Sequence, residues 1–459
     1  MASSEIQNLA NSIAYNTAIY NHYLISNHLP TPSHHTLPSE RPSILPPDVE
    51  HARQTAAEAS HELHDLLSGS IGHVMNAAQR STRIMTLHFI HTYRIGFQLK
   101  WGERTTFEAI ARESNLDVND TRRMIRLAMT EHFFTEPENG VVMHTAPSYE
   151  MARNALLSAW VGLTTQENWP PMLKLVETLK KYPGSEEPLE SAFAIAHNMH
   201  DDAFKLWEKD PARIEQFSNA MAFLHAGSGF QPAEILSDVP SPHHHPVFVD
   251  VGGSTGHVSI QIARQHPKWK FIVQDSAETV ALARKQVPAD VQHQLSFQVH
   301  DFWTEQPVQH ADVYFFKTIF HDWSDTYSAK ILRALIPALK EGARIIIADV
   351  CIPPKGAVSL YKEHWMRGLD LVMKCFTNAK ERDYQEWAAL FAMADPGFKF
   401  LGVRTPMGSK ASFIEAEWRP NQGQVQDIGV RVDGVEEGVV KTVNVDGVTL
   451  DLLHGEVIA

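Results

Sequence analysis

VFVDVGGSTGHVSIQIARQHP, residues 247–267, is an apolar strand that runs into a Gly-rich turn and then into an amphipathic helix. That order brings backbone N–H groups and a helix N-terminus to one point, where a ligand can be held. Gly252, Gly253 and Gly256 permit close approach there. Toward the C-terminus the same texture recurs in KFIVQD (270–275), DVYFFK (312–317) and ARIIIADV (343–350). Short β-branched runs alternating with helical patterns predict an α/β fold with a mostly parallel sheet, spanning residues 236–419.

The chain before this region has a different texture. Residues 1–80 read as a helical arm: an apolar-spaced helix carrying Leu9, Ile13, Tyr20 and Leu24, the Pro-rich linker HLPTPSHHTLPSERPSILPPD, and a second helix. The stripe on the first helix suits packing against a second copy of the chain. Within 81–235, TTFEAIARESNLDVNDTRRMIRLAMTEHFFTEPENGVVMHT (105–145) places two short helices around Asn115–Asn119, and a Glu-Asn-Gly turn between two short strands. This winged-helix-like pattern serves either DNA binding or dimerisation, and Arg122, Arg123 and Arg126 read as a solvated face.

Residues 146–235 read as helical, with Trp160, Trp169, Phe193, Met199, Phe204, Trp207, Phe217, Met221 and Phe223 as core or as the lining of a pocket for a flat organic molecule. Residues 420–459, with alternating Val and Asp-Gly turns, predict one or two hairpins and suggest no function.

Composition narrows the function. With 459 residues, 43% of them hydrophobic and 20% charged, the chain can bury more than one sizeable core. A formal net charge of −14 opposes nucleic acid as the main partner and favours dimerisation for the winged-helix-like segment. Two cysteines, Cys351 and Cys375, build no disulfide framework, and no apolar run reaches membrane-spanning length. A soluble, cytoplasmic protein is expected. His243, His244 and His245 are adjacent on a linker and do not converge without other ligands, so no metal is expected.

A nucleoside suits the Gly-rich turn. Asp275 ends the strand after it, roughly 20 residues on, where a carboxylate accepts ribose hydroxyls. Read as G-x-S-x-G, the turn also fits a hydrolase elbow with Ser254 as nucleophile. Against that, Asp250, Asp275 and Asp301 fall at successive strand ends. A series of acids would repel a pyrophosphate and suits the hydroxyls, amines and positive charge of S-adenosylmethionine.

DVGGSTG, VQD, HDFW, FFKTIFHDWSD, IIIADV and NAKERD occur in this order. On these motifs, most of residues 80–415 resembles the plant and fungal class I O-methyltransferases, such as the caffeic acid and isoflavone enzymes. The resemblance implies a Rossmann-like methyltransferase domain behind a helical dimerising domain, a homodimer, and S-adenosylmethionine as cofactor. It assigns Gly252 and Gly253 to the cofactor loop, Asp275 to the ribose, Asp301 and Phe302 to the adenine region, and Lys317 to the cofactor's polar end. Ser254 departs from a frequent third Gly, and Ser276 with Ala277 replace an apolar-Pro pair.

Methyl transfer to a hydroxyl needs an oxygen in line with the sulfonium carbon and a base to take its proton. Among 26 histidines, His321 stands out by its HDW context, with an ordinary imidazole pKa near 6.5. The family pattern places Asp349 and Glu381 around it, to hold its second nitrogen and stabilise the imidazolium. Without that pattern Glu381 would read as an exposed ion-pair residue beside Lys380 and Arg382. Trp323 packs near the cofactor or fills the core. The expected activity is O-methylation of an aromatic or polyketide-type secondary metabolite. The alternative is dehydration or pericyclic rearrangement on a bound S-adenosylmethionine that transfers no methyl.

Overall fold

The computed structural model describes residues 4–37, 45–97, 99–199, 210–226, 235–236, 239, 245–406, 409–420, 441–445 and 448–452. Of the residues singled out above, Phe204, Trp207, His243 and His244 lie outside the described residues, as do 38–44 of the Pro-rich linker and 421–440 of the tail. The chain divides into two compact units, Met1–Pro420 and Asn421–Ala459. In the second, Lys441–Val445 pairs antiparallel with Val448–Leu452.

The first unit is built on a seven-stranded sheet: β1 (Val247–Val251), β2 (Lys270–Asp275), β3 (Leu295–Val299), β4 (Val313–Lys317), β5 (Arg344–Asp349), β6 (Phe398–Arg404) and β7 (Ser412–Trp418). The order is 3-2-1-4-5-7-6. The first five strands run parallel; β7 is antiparallel to β5, and β6, antiparallel to β7, runs in the direction of the first five.

Alternation along the strands divides the core between the two faces of the sheet. Val249, Val251, Tyr314, Phe316, Ile345 and Ile347 pack with Trp387 and Phe391 on one side. Phe248, Phe271, Val273, Phe315 and Ile346 pack with Val258 and Ile262 on the other. With both faces covered, these strands are apolar at nearly every position, so they read as runs rather than as alternation. Progression across the sheet reverses between β1 and β4, and a crevice opens at the carboxyl ends of strands at such a reversal. The Gly turn after β1 and the His321 turn after β4 both face it.

Upstream, helices Phe107–Ser114 and Val118–Met129 pack with a small sheet of Thr105–Thr106, Val141–Met143 and Thr135–Glu138. Thr106 and Asp117 cap the two helices by accepting from Ala109 N, and from Asn119 N and Asp120 N. Arg122 and Arg126 do not form a free basic face. Arg122 pairs with Glu108 at 2.8 Å, and Arg126 forks onto Glu136 at 2.8 and 2.9 Å.

Further on, the helices Ala155–Gly162 and Trp169–Lys181 are joined through a π-helical turn, Leu163–Asn168. Pro170 and Pro171 lack the N–H groups that would continue an α-ladder onto Gln166 and Glu167, which explains the change of winding at this point. Among the described residues no helix is long and apolar enough to cross a membrane.

Candidate active site

The Gly-rich turn is held differently from the sequence expectation. Gly252 N and Gly253 N do not point outward to a ligand. Both donate to the Gln274 carbonyl of β2, at 2.9 and 3.1 Å. What the glycines supply is absence of bulk: a Cβ on Gly252 would lie 2.7 Å from Ile319 Cδ1, and one on Gly253 2.4 Å from Asp250 Cγ. Ser254, in place of a third Gly, sits in the left-handed region at φ 52 and donates its N–H to Asp275 Oδ2 at 2.9 Å. No described histidine bonds its hydroxyl, so the hydrolase reading lacks a base.

The three acids also divide. Asp250 does not face the crevice: it lies inside β1 beneath Gly253, 2% exposed, and accepts from Ser259 Oγ at 2.6 Å. Burial pushes its carboxyl up to about 6, against the pull of Ser259 and Lys317. Asp275 ends β2 half-buried, and Asp301 is exposed after β3, accepting from Trp303 N at 3.1 Å. Phe302 is half-buried, with ring centroids 5.2 Å from Trp303 and 6.5 Å from Trp323. Trp323 is 6% exposed and belongs to the core, meeting Trp303 edge to face at 4.7 Å. Lys317 ends β4. Burial lowers its ammonium pKa, while Asp349 and Asp250 oppose that shift.

Beyond Lys317 the strand breaks sharply. Thr318, a β-branched residue, takes φ 52, held by its N–H on Ala348 O at 3.1 Å and its hydroxyl on Lys317 O at 2.7 Å. The short 3₁₀ turn Phe320–Asp322 follows and carries His321. Glu381, 2% exposed, places Oε1 2.9 Å from His321 Nδ1. Glu381 is therefore not an exposed ion-pair residue. Asp349 does not bond the imidazole as the family pattern implied. Its Oδ2 accepts from Phe320 N at 3.1 Å and thereby fixes the turn. Asp322 Oδ1 lies 3.6 Å from His321 Nε2.

These charges change the expected titration of His321. Burial alone would lower its pKa, but Asp322, Glu381 and Asp349 outweigh it and push the imidazole up to about 10. The expectation of an ordinary value near 6.5 fails because three carboxylates crowd one ring. Burial likewise lifts Asp349 to about 7.

Residue reading missed Arg382. It is fully buried, and its guanidinium donates to Asp325 Oδ1 at 2.7 Å, Phe320 O at 2.9 Å and Trp323 O at 2.8 Å, so it clamps the His321 turn from both ends. The one available signal was its position inside the NAKERD motif, and its charged neighbours outweighed it. A strap from the helical half was also missed. Glu186 Oε2 accepts from Thr326 N at 3.2 Å, and Glu187 Oε2 accepts from Tyr327 Oη at 2.8 Å.

Between the helices, Asn168, Pro171, Met172, Phe193, Val372, Cys375 and Phe376 line a narrow, mostly apolar cleft that is closed, with no room for a water molecule. Phe193 and Phe376 meet edge to face at 5.1 Å, with Met199 and Phe217 packed behind them. Phe376 precedes Thr377, whose hydroxyl donates to Asp322 O at 2.6 Å, so the cleft wall is tied to the His321 turn.

The residues around the crevice fit a nucleoside with a cationic end. Gly252 and Gly253 let Ile319 and Asp250 pack closely against the turn, Asp275 and Asp301 offer acceptors, and Asp349 Oδ1 and Glu381 Oε2 are buried oxygens with no partner among the described residues. Comparison with known proteins agrees. The O-methyltransferase domain model matches residues 178–399. The O-methyltransferase kk1A of Curvularia clavata is 36% identical over 81% of this chain and 88% of its own. The chlorophenol O-methyltransferase of Trichoderma longibrachiatum is 34% identical over 91% of each chain. Among solved structures, that of LepI in complex with S-adenosylmethionine superposes with a TM-score of 0.67 at 21% identity, covering 89% of this chain and 100% of that one, and so supports the fold.

Proposed function

The chain belongs to the O-methyltransferase family and is an S-adenosylmethionine-dependent enzyme, and from that premise we propose that it methylates a hydroxyl of an aromatic small molecule, with His321 taking the hydroxyl proton. The observation that carries this reading is the buried contact of 2.9 Å between His321 Nδ1 and Glu381 Oε1. A carboxylate can only accept, so Nδ1 carries hydrogen and Nε2 is left to exchange a proton with the acceptor. When bound, S-adenosylmethionine supplies an electrophilic methyl carbon on a sulfonium.

The other roles follow from placement. Gly252 and Gly253 shape the turn beside the donor, Asp275 and Asp301 with Phe302 hold its nucleoside, and Lys317 lies toward its polar end. Asp349 keeps the His321 turn in place, and with Glu381 and Asp322 it stabilises the imidazolium that proton uptake creates. The aromatic acceptor is supported by a phenol in the name of one relative, and by the aromatic pair Phe193 and Phe376, which is tied to the His321 turn through Thr377. In this reading residues 236–419 bind the donor, residues 81–235 line the acceptor and join two copies, and residues 1–80 form an arm of a cytoplasmic homodimer. Residues 420–459 are assigned no role.

Mass spectrometry of reactions with S-adenosylmethionine and a panel of phenols tests the proposal. A product heavier by one methyl is expected. Its rate should fall by a factor of about 100 to 10,000 in His321→Ala, the usual range for loss of a general base. An unmethylated isomer or a dehydrated product that still required the donor would mean rearrangement chemistry instead.

A further inference from the structure

Three segments assigned to the donor meet at one buried amide. Gln274, next to last in β2, is fully buried. Its backbone carbonyl accepts from both Gly252 N and Gly253 N, which sets the height of the Gly turn. Its side chain reaches to the opposite flank: Nε2 donates to Gln298 Oε1 at 2.9 Å and to Gln306 Oε1 at 2.7 Å, and Oε1 accepts from Gln306 Nε2 at 2.9 Å.

Gln306, 1% exposed, closes the loop that begins at Asp301, and it is fixed again by its own N–H on Ala334 O at 3.0 Å. Next to Gln274 in β2 stands Val273, and apolar side chains would fill the site of the amide pair at no desolvation cost. A reciprocal amide pair has one satisfied geometry, so it gives direction where an apolar contact would allow sliding.

We propose that Gln274 is a positioning residue that holds the Gly turn, the adjacent Asp275 and the Asp301–Phe302 loop in one register, and so sets affinity for the nucleoside part of the donor. The proposal rests on the reading of those segments as the donor site.

The test is calorimetric binding of S-adenosylmethionine, S-adenosylhomocysteine and adenosine, alongside thermal unfolding, on four variants. Gln274→Leu leaves Gln306 Nε2 without its acceptor, so stability falls and all three ligands should bind about tenfold more weakly. Replacing both partners, in Gln274→Leu/Gln306→Leu, removes the stranded amide and should restore part of the melting temperature, the remaining loss being that of Val308 N, which donates to Gln306 Oε1 at 3.0 Å.

Affinity should stay low in that double variant, by the same factor for adenosine as for the full donor, and KM for the donor should rise far more than kcat falls. Recovery of affinity together with stability would reduce the pair to core packing and overturn the proposal. So would a loss confined to S-adenosylmethionine, which would place the effect at the amino-acid end. Gln306→Ala, which opens room for water, gives the same readout if the leucine variants do not fold.

Asp275→Ala separates the two levels. If adenosine binding survives that change, the donor-site reading and the proposal fall together. If it is lost while the double variant binds normally, the proposal alone falls.

Discussion

His321 shows how far a side chain departs from its ordinary chemistry when the surroundings are fixed. An imidazole held up near 10 is protonated at neutral pH, so the basic form is a minority until the medium turns alkaline. The rate at limiting substrate should therefore climb with pH from about 6 to 9. Glu381→Gln removes one of the raising charges while keeping the shape. The expected result is a pH–rate profile displaced to lower pH and a maximal rate reduced by about 100-fold, read from initial rates across the range.

Stability carries the same signature. A pKa raised above its unfolded value of about 6.5 contributes stability that is complete below that pH and is lost as pH rises through the folded value near 10. His321→Gln should then melt well below the parent at pH 6, with the gap closing toward pH 10, as followed by circular dichroism. At this scale the sequence identified His321 and Glu381 but not their electrostatics, because burial and three converging carboxylates depend on segments far apart in the chain. Asp250 misled for a related reason: its place in the motif says nothing about which face of β1 it occupies.

The elements were more legible than the connections between them. VFVDV, KFIVQD, VYFFK and RIIIAD appear as adjacent parallel strands because each is too apolar to rest anywhere but in a doubly covered sheet. The antiparallel pair Phe398–Arg404 and Ser412–Trp418 was not singled out, since Gly402, register shifts and the half-exposed edge blur its pattern. The clamp by Arg382 was invisible as well, because a guanidinium among charged neighbours reads as solvated. Its burial makes a sharp expectation. Arg382→Met takes one donor from Asp325, which keeps Lys380, and the guanidinium from two buried carbonyls, which keep only Ser328 Oγ, and should lower the urea unfolding free energy by about 3 kcal/mol. The His321 turn should lose order in the same variant, seen as faster amide exchange over residues 318–326.

For the whole molecule, the proposed pairing of two chains has a surface to support it. Ile71, Val74 and Met75 are 79%, 67% and 58% exposed, at spacings that align them on one side of the helical segment beyond Gly69, within Pro47–Gln79. Sedimentation of the 51.6 kDa chain should show a species of twice that mass, and Ile71→Asp/Val74→Asp should shift it to the monomer. From the sequence, this arm was recognised as helix, linker and helix, with the packing stripe assigned to the first helix. The second helix carries the larger exposed apolar surface, and the kink at Gly69 (φ 65) falls next to it.

The π-helical turn at Leu163–Asn168 has a consequence for how this enzyme can change. Such a turn holds one residue more than an α-helical turn of the same length, so deleting a single residue there would rewind the segment as continuous α-helix. Because the turn winds that extra residue into the same full rotation, the helix beyond it would keep its facing, and Pro171 and Met172 would stay opposite Phe376. One codon lost or gained here is thus absorbed locally, which makes this turn a place where the chain can change length without disturbing the side chains on either side of it.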